Sequence, residues 1–190
     1  MLLLEERILR DGKIRNGGIL KVDSFLNHQM DVALFRELAL EWRRIFDGCE
    51  VTKILTIEAS GIGLACIAAE VFRCPVIFAK KAKTKNIDGA VYTSEVESFT
   101  HCQVYEIVVA KEYLCPDDKV LILDDFLANG AALTGLVELV TKAGASLVGA
   151  GVAIEKVFQH GGDMLRARGI RVEALARIKS MNEESGIEFC

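Results

Sequence analysis

Apolar and polar positions along the chain alternate between two kinds of block. Short aliphatic runs at 53–58, 75–79, 120–123, 146–155 and 172–178 are apolar almost throughout, the pattern of strands buried on both faces. Between them, apolar residues recur at helical spacing. Asp31, a good N-cap, precedes Phe35, Leu38, Ala39, Trp42, Ile45 and Phe46; Ala65, Cys66, Ala69 and Phe72 mark a second helix; Leu133, Leu136, Val137 and Val140 mark a third, closed by Gly144. Residues 2–10 predict a short amphipathic helix, 16–18 a turn, and 164–168 an amphipathic turn of helix before a polar tail. Residues 91–99 and 102–111 read as antiparallel strands around a turn, with Thr93, Ser98 and Thr100 exposed. The stretch 19–29 fits neither period and is expected as a short strand or loop that brings Phe25, Asn27 and His28 together.

Strands alternating with helices predict an α/β fold with a doubly wound, mostly parallel sheet and one antiparallel insertion. No repeat, linker or low-complexity tract divides the 190 residues, so a single domain over 1–190 is expected. The net charge of −4 gives no general pull toward nucleic acid or an anionic membrane. The opening Met1-Leu2-Leu3-Leu4-Glu5-Glu6 lacks the basic start of a secretion signal, and no apolar run reaches the length of a membrane span. Six cysteines (Cys49, Cys66, Cys74, Cys102, Cys115 and Cys190) form no C-x-x-C pair and read as reduced, which points to a cytoplasmic protein.

The chemistry centres on 120–133. Four aliphatic residues, Val120 to Leu123 in order, run into Asp124 and Asp125, then Phe126-Leu127-Ala128-Asn129-Gly130-Ala131-Ala132, and then a helix. Ligands of open parallel sheets bind outside the carboxyl ends of strands, where backbone N–H groups at a helix start can cradle phosphate. The plain alternative is a buried strand with a solvated acidic pair and a turn. A Walker A loop is excluded because no Gly-Lys-Ser/Thr follows, and no nucleophile elbow is present. Ser60-Gly61 repeats the strand-to-helix geometry. Lys80, Lys81, Lys83 and Lys85 follow another strand, where a cationic loop can close over a polyphosphate. His28, His101 and His160 are too dispersed for a metal site.

The stretch 124–132 resembles the diphosphoribosyl-binding motif of the type I phosphoribosyltransferases. Its Ala-Asn-Gly-x-Ala loop is similar to the xanthine-specific branch, as are 20–29 and Ile154-Glu155-Lys156. The loop departs from the commoner version, which is rich in Thr and Gly. The resemblance covers essentially the whole chain. It implies the type I fold with a small hood from the N- and C-terminal segments, and transfer of a phosphoribosyl group from phosphoribosyl pyrophosphate (PRPP) to xanthine. Asp124 and Asp125 would face the ribose hydroxyls. Ala128, Asn129, Gly130, Ala131 and Ala132 would hold the 5′-phosphate; Ser60, Gly61 and Lys81 would serve the pyrophosphate. Leu20, Asn27 and Lys156 would contact the purine, with Lys156 donating to O6 and Phe158 as a cover for the ring. Mg²⁺ is implied on pyrophosphate oxygens, without a dedicated protein metal site, and a homodimer is the family's habit. Other purine phosphoribosyltransferases, and a PRPP-sensing nucleic-acid-binding regulator of the same fold, are the alternatives. A winged-helix extension, which such regulators typically carry, does not fit in the short segment ahead of Asp31.

Overall fold

The computed structural model describes residues 1–15, 19–81, 90–98 and 103–190. Its strands are β1 (Lys13–Arg15), β2 (Ile19–Lys21), β3 (Lys53–Ile57), β4 (Val76–Lys81), β5 (Val91–Ser98), β6 (Gln103–Ala110), β7 (Lys119–Leu127), β8 (Ser146–Lys156), β9 (Val172–Asn182) and β10 (Gly186–Phe189). The α-helices are α1 (Leu2–Asp11), α2 (Val32–Ile45), α3 (Ser60–Phe72), α4 (Ala131–Lys142) and α5 (Gly161–Ala167). Eight strands form the main sheet in the order β10-β9-β8-β7-β3-β4-β6-β5, parallel from β9 to β4. The β5–β6 insertion is antiparallel, as expected, and β10 pairs antiparallel with β9.

Two apolar layers sandwich this sheet, and the period of two along its strands sorts residues between them. Ile54, Leu121 and Leu123 face Phe35, Leu38 and Trp42 of α2 and Leu64 of α3. Leu55, Val120 and Ile122 pack instead with Leu133, Leu136 and Leu139 of α4. Fully burying one such large side chain contributes roughly 1.5–3 kcal/mol, so the two layers hold the central strands firmly. Trp42, fully buried, rests on β8 at Gly151, where a Cβ would come within 2.9 Å of the indole Nε1. The glycines of β8 thus permit the close packing expected of them.

The adjacent strands β3 and β7 feed helices on opposite faces, and their chains then move apart, to β4 on one side and β8 on the other. A crevice therefore opens at their carboxyl ends, the switch point where open α/β sheets place ligands. Asp31 caps α2 as expected, accepting from the Leu34 N–H at 3.1 Å, and its other oxygen accepts from Arg7 of α1 at 2.8 Å. That ion pair and the Arg7 guanidinium 5.1 Å from the Phe25 ring tie α1 to the hood.

Several elements differ from expectation. After β2, residues Asp23–Asn27 close into one π-helical turn, because the His28 and Gln29 N–H groups both reach back to the Asp23 carbonyl. A local ring of that kind leaves no period for a sequence pattern to show. Strand β7 runs on through Leu127, so the acidic pair lies inside the strand rather than beyond it. The polar tail is a hairpin: Asn182 Oδ1 accepts from the Glu184 and Ser185 N–H groups at the turn, and Lys179 and Ser180 bind Glu188. Helix α5 starts at Gly161, earlier than expected. Cys66 lies on the exposed side of α3, and Thr93 is half-buried. Gly144 follows α4 in the left-handed region at φ +71°. Cys49, Cys66, Cys74, Cys115 and Cys190 are free thiols. Cys102, His101, the turn at 16–18, Thr100, Lys83 and Lys85, and the Ser98 side chain lie outside the described residues.

Candidate active site

Strand ends bring the candidate residues together. Asp124 and Asp125 lie near the end of β7, Ser60 and Gly61 open α3 just after β3, Lys81 ends β4, and Lys156 ends β8. Contact between the first two groups is direct. A Cβ on Gly61 would collide with the Thr56 hydroxyl and stand 2.8 Å from Asp124 Oδ1. Only a residue without a side chain lets the start of α3 sit against the acidic pair. The peptide between Glu58 and Ala59, just ahead of this turn, is cis.

Both carboxylates are nearly sealed from solvent, Asp124 at 4% exposure and Asp125 at 8%. The Asp125 N–H donates to Asp124 Oδ1 at 3.0 Å. Burial, and then the neighbouring Asp125 charge, push the Asp124 carboxyl well above its ordinary value, against the opposing pull of Lys81. The Lys81 ammonium sits 5.2 Å from the Tyr105 ring centroid, and the Tyr105 hydroxyl is itself raised, by burial and then by Asp124. The Lys81 backbone N–H is fixed by Glu58 Oε1 at 2.6 Å. Lys81, Tyr105 and the acidic pair therefore form one electrostatic unit, of which Tyr105 and Glu58 carry no recognisable sequence signal.

The loop after β7 has the form of a phosphate cradle. Gly130 takes φ +86°, ψ 3°, and caps α4, whose first-turn N–H groups have no intrahelical acceptors. Asn129 Oδ1 accepts from the Ala131 N–H at 3.2 Å, which leaves the Asn129 amide NH₂ as a donor. Ala128, Ala131 and Ala132 keep the approach to the backbone open. Among the described residues, the buried hydroxyls of Thr56, on β3 beside Gly61, and of Thr134, two residues past the cradle, have no hydrogen-bond partner. Buried polar atoms left in that state cost stability, and a polar ligand in the crevice is a ready reason for them.

At the end of β8, Lys156 is half-buried, and desolvation lowers its ammonium below the ordinary lysine value. Its Nζ lies 5.7 Å from the ring centroid of Phe126, which pairs across the sheet with Ile154. Phe126, hidden in the sequence between acidic pair and loop, is thus an aromatic neighbour of Lys156. Phe158 stands 37% exposed on the turn beyond it. Leu20 and Asn27 lie on the hood rather than at the strand ends. The Leu20 side chain, 5% exposed, is packed into the core layer of α2 and α3, so its edge and backbone are what it can present to a ligand. Asn27 Oδ1 is buried without a hydrogen-bond partner among the described residues. Besides Tyr105 and Glu58, sequence reasoning missed Thr56, Phe126 and the role of the buried Glu155, whose neighbours in space are far away in the chain.

A parallel sheet with this switch point, an acidic pair and a glycine-capped loop defines a phosphoribosyl-transferring protein, and the chain belongs to the phosphoribosyl transferase domain family, whose model matches residues 21–163. Its relatives narrow the group. It is 55% identical to the xanthine phosphoribosyltransferase of Lachnoclostridium phytofermentans over 98% of this chain and 96% of that one. It is 57% identical to the protein of the same name from Ruminiclostridium cellulolyticum, over 95% of each. Among solved structures it superposes on adenine phosphoribosyltransferase from Rhodothermus marinus with a TM-score of 0.75 at 21% identity, covering 93% of this chain and 99% of that chain. For the enzyme of Giardia lamblia complexed with 9-deazaadenine the TM-score is 0.78 at 21% identity, covering 92% and 97%. At that identity the likeness concerns the fold. No described helix is long and apolar enough to cross a membrane.

Proposed function

We propose that this chain transfers the 5-phosphoribosyl group of PRPP to xanthine, releasing pyrophosphate and xanthosine 5′-monophosphate in purine salvage. The observation that carries the reading is the buried Asp124–Asp125 pair packed against Gly61 on one side and followed by the Gly130 cradle on the other. The 55% identity to a relative named for xanthine supports the choice of base.

In this reading the 5′-phosphate lies on 128–132 and the pyrophosphate on Ser60, Gly61 and Lys81. The ribose hydroxyls then face Asp124 and Asp125. A purine nitrogen attacks the anomeric carbon as the bond to pyrophosphate breaks, and positive charge develops on the ribose ring. The acidic pair favours that charge, and the two anion sites align the reacting atoms; neither role requires a proton-transfer base. Lys156 donates to O6 of the purine, and Asn27 faces its 2-position.

Mg²⁺ suits this donor set. Among the described residues no cluster of three or more His, Cys, Asp or Glu forms a metal cage. This ion keeps several waters and needs few protein carboxylates, so it would be held mainly through PRPP oxygens, with the acidic pair beyond the ribose. Bound, it neutralises the leaving pyrophosphate. We further assign the chain as one domain over 1–190, as a homodimer and to the cytoplasm. Steady-state rates with xanthine, guanine, hypoxanthine and adenine at fixed PRPP, read as pyrophosphate release, test the function. Xanthine should give the highest kcat/KM, and a higher value with another base would overturn the substrate assignment.

A further inference from the structure

The site described so far leaves one buried ionised cluster unused. Glu155, 1% exposed, accepts from Arg166 Nη1 at 2.7 Å and Nη2 at 2.8 Å, and from Arg177 Nε at 3.0 Å. Burial alone would raise this carboxyl, but the two guanidinium groups outweigh it and hold it below the ordinary glutamate value. Arg166 belongs to α5, and its Nε also donates to the Val172 carbonyl at the start of β9. The carboxylate thus fastens α5 to the ends of β8 and β9.

Two glycines carry that fastening to the phosphate loop. A Cβ on Gly162 would strike Glu155 Oε1 and come within 2.6 Å of Arg166 Nη1. A Cβ on Gly161 would strike the Ala128 carbonyl and the Gly130 nitrogen, and the Gly161 N–H donates to the Ala128 carbonyl at 3.2 Å. The segment is therefore wedged between carboxylate and loop with no room on either side. Bidentate arginine pairs have fixed geometry, so the clamp sets where the wedge lies. Lys156, by contrast, is held by its own register with Ile178 of β9.

We infer that Glu155 is a positioning residue: clamped by Arg166 and Arg177, it holds Gly161 and Gly162 against 128–130 and so fixes the cradle for the ribose 5′-phosphate. The inference rests on the reading of that loop given above. Ribose 5-phosphate and inorganic pyrophosphate, used as separate competitors against PRPP at saturating xanthine, probe the two ends of the site independently. In Glu155→Gln the inhibition constant of ribose 5-phosphate should rise by about tenfold or more, while that of pyrophosphate stays within about twofold and the xanthine KM within about threefold. Arg166→Lys keeps the charge but loses the fork, and should show the same split more mildly. Equal weakening of both competitors, or none, in folded Glu155→Gln overturns the inference. Should Glu155→Gln not fold, Arg166→Lys decides by the same split. Ribose 5-phosphate that fails to inhibit the unmodified enzyme would instead remove the phosphate-loop reading itself.

Discussion

Replacing Gly130 tests the cradle where its geometry is tightest. The backbone there sits at φ +86°, ψ 3°, and an L-residue held in the left-handed region costs about 1–2 kcal/mol. Space adds a second penalty. A Cβ would lie 2.9 Å from the Met164 methyl and 3.2 Å from the Gly161 Cα and carbonyl oxygen. The methyl can swing away, but the Gly161 backbone, wedged as described, has to give, so roughly 1 kcal/mol from the low end of overpacking penalties is reasonable. Together Gly130→Ala should lose about 2–3 kcal/mol, and if the loop relaxes its cradle to absorb this, PRPP binding weakens roughly 30- to 150-fold. A β-branched residue resists positive φ more strongly, so Gly130→Val should be worse. The assay is the KM for each substrate with the other saturating, alongside a thermal midpoint. PRPP should suffer far more than xanthine. Equal rises for both substrates, or a PRPP requirement within about threefold of the unmodified enzyme, would refute the reasoning.

Asp124→Asn with Asp125→Asn should leave the fold intact by circular dichroism yet lower kcat by at least ~100-fold, since alignment and charge stabilisation supply several kcal/mol of barrier lowering; normal turnover would make the pair structural. Asp124 also predicts a pH dependence of stability: because its folded pKa is raised, its contribution is fully present below the ordinary 3.8 and is lost as pH climbs toward the raised value. Urea unfolding of Asp124→Asn should therefore gain on the unmodified protein as pH rises from about 4 until Asp124 ionises in the folded state, and parallel curves would mean that Asp124 ionises normally. Asn27→Asp places an acceptor against the 2-carbonyl of xanthine but pairs with the 2-amino group of guanine, so the xanthine-to-guanine ratio of kcat/KM should fall about ten- to a hundredfold; an unchanged ratio would move Asn27 from that position. Lys156→Ala should depress both bases together, because both present the same 6-oxo group, and loss confined to one would contradict a contact at O6.

The sheet was legible because its signal is local. Leu121 lies within an unbroken aliphatic run and Leu55 within one interrupted only by Thr56, and Asp31 announces α2 through a cap that acts three residues away. The candidate loop was legible for the same reason, since Asn129 carries turn chemistry in its side chain and Gly130 in its lack of one. What the sequence hid depends on distance in the chain. Glu155 reads as a charged residue at a strand exit, and only the fold brings Arg177 across from β9 to bury it. Gly61 reads as half of a weak Ser-Gly pair; its necessity comes from Thr56 and Asp124 on two other strands. The hairpin of β9 and β10 escaped notice because Lys179, Ser180 and Glu188 are interspersed with the apolar Met181, Ile187 and Phe189, which reach the core only once the turn at Asn182 folds the chain back.

The electrostatics of the acidic pair connect these hidden contacts to the proposed reaction. Without ligand, Asp124 is buried beside a second carboxylate, and the ionised form is disfavoured, chiefly by desolvation. Ribose hydroxyls donating to the pair would favour the ionised form, and positive charge developing on the ring would favour it further. Any such preference must act in both directions by linkage, so PRPP binding should be coupled to release of a proton from Asp124. The same burial that makes the free site unfavourable for charge excludes water from the reacting carbon and strengthens each interaction made there. Gly61 matters to both effects. Its lack of a side chain lets α3 close over Asp124, so desolvation of the carboxylate and the proposed placement of the pyrophosphate end follow from one backbone approach.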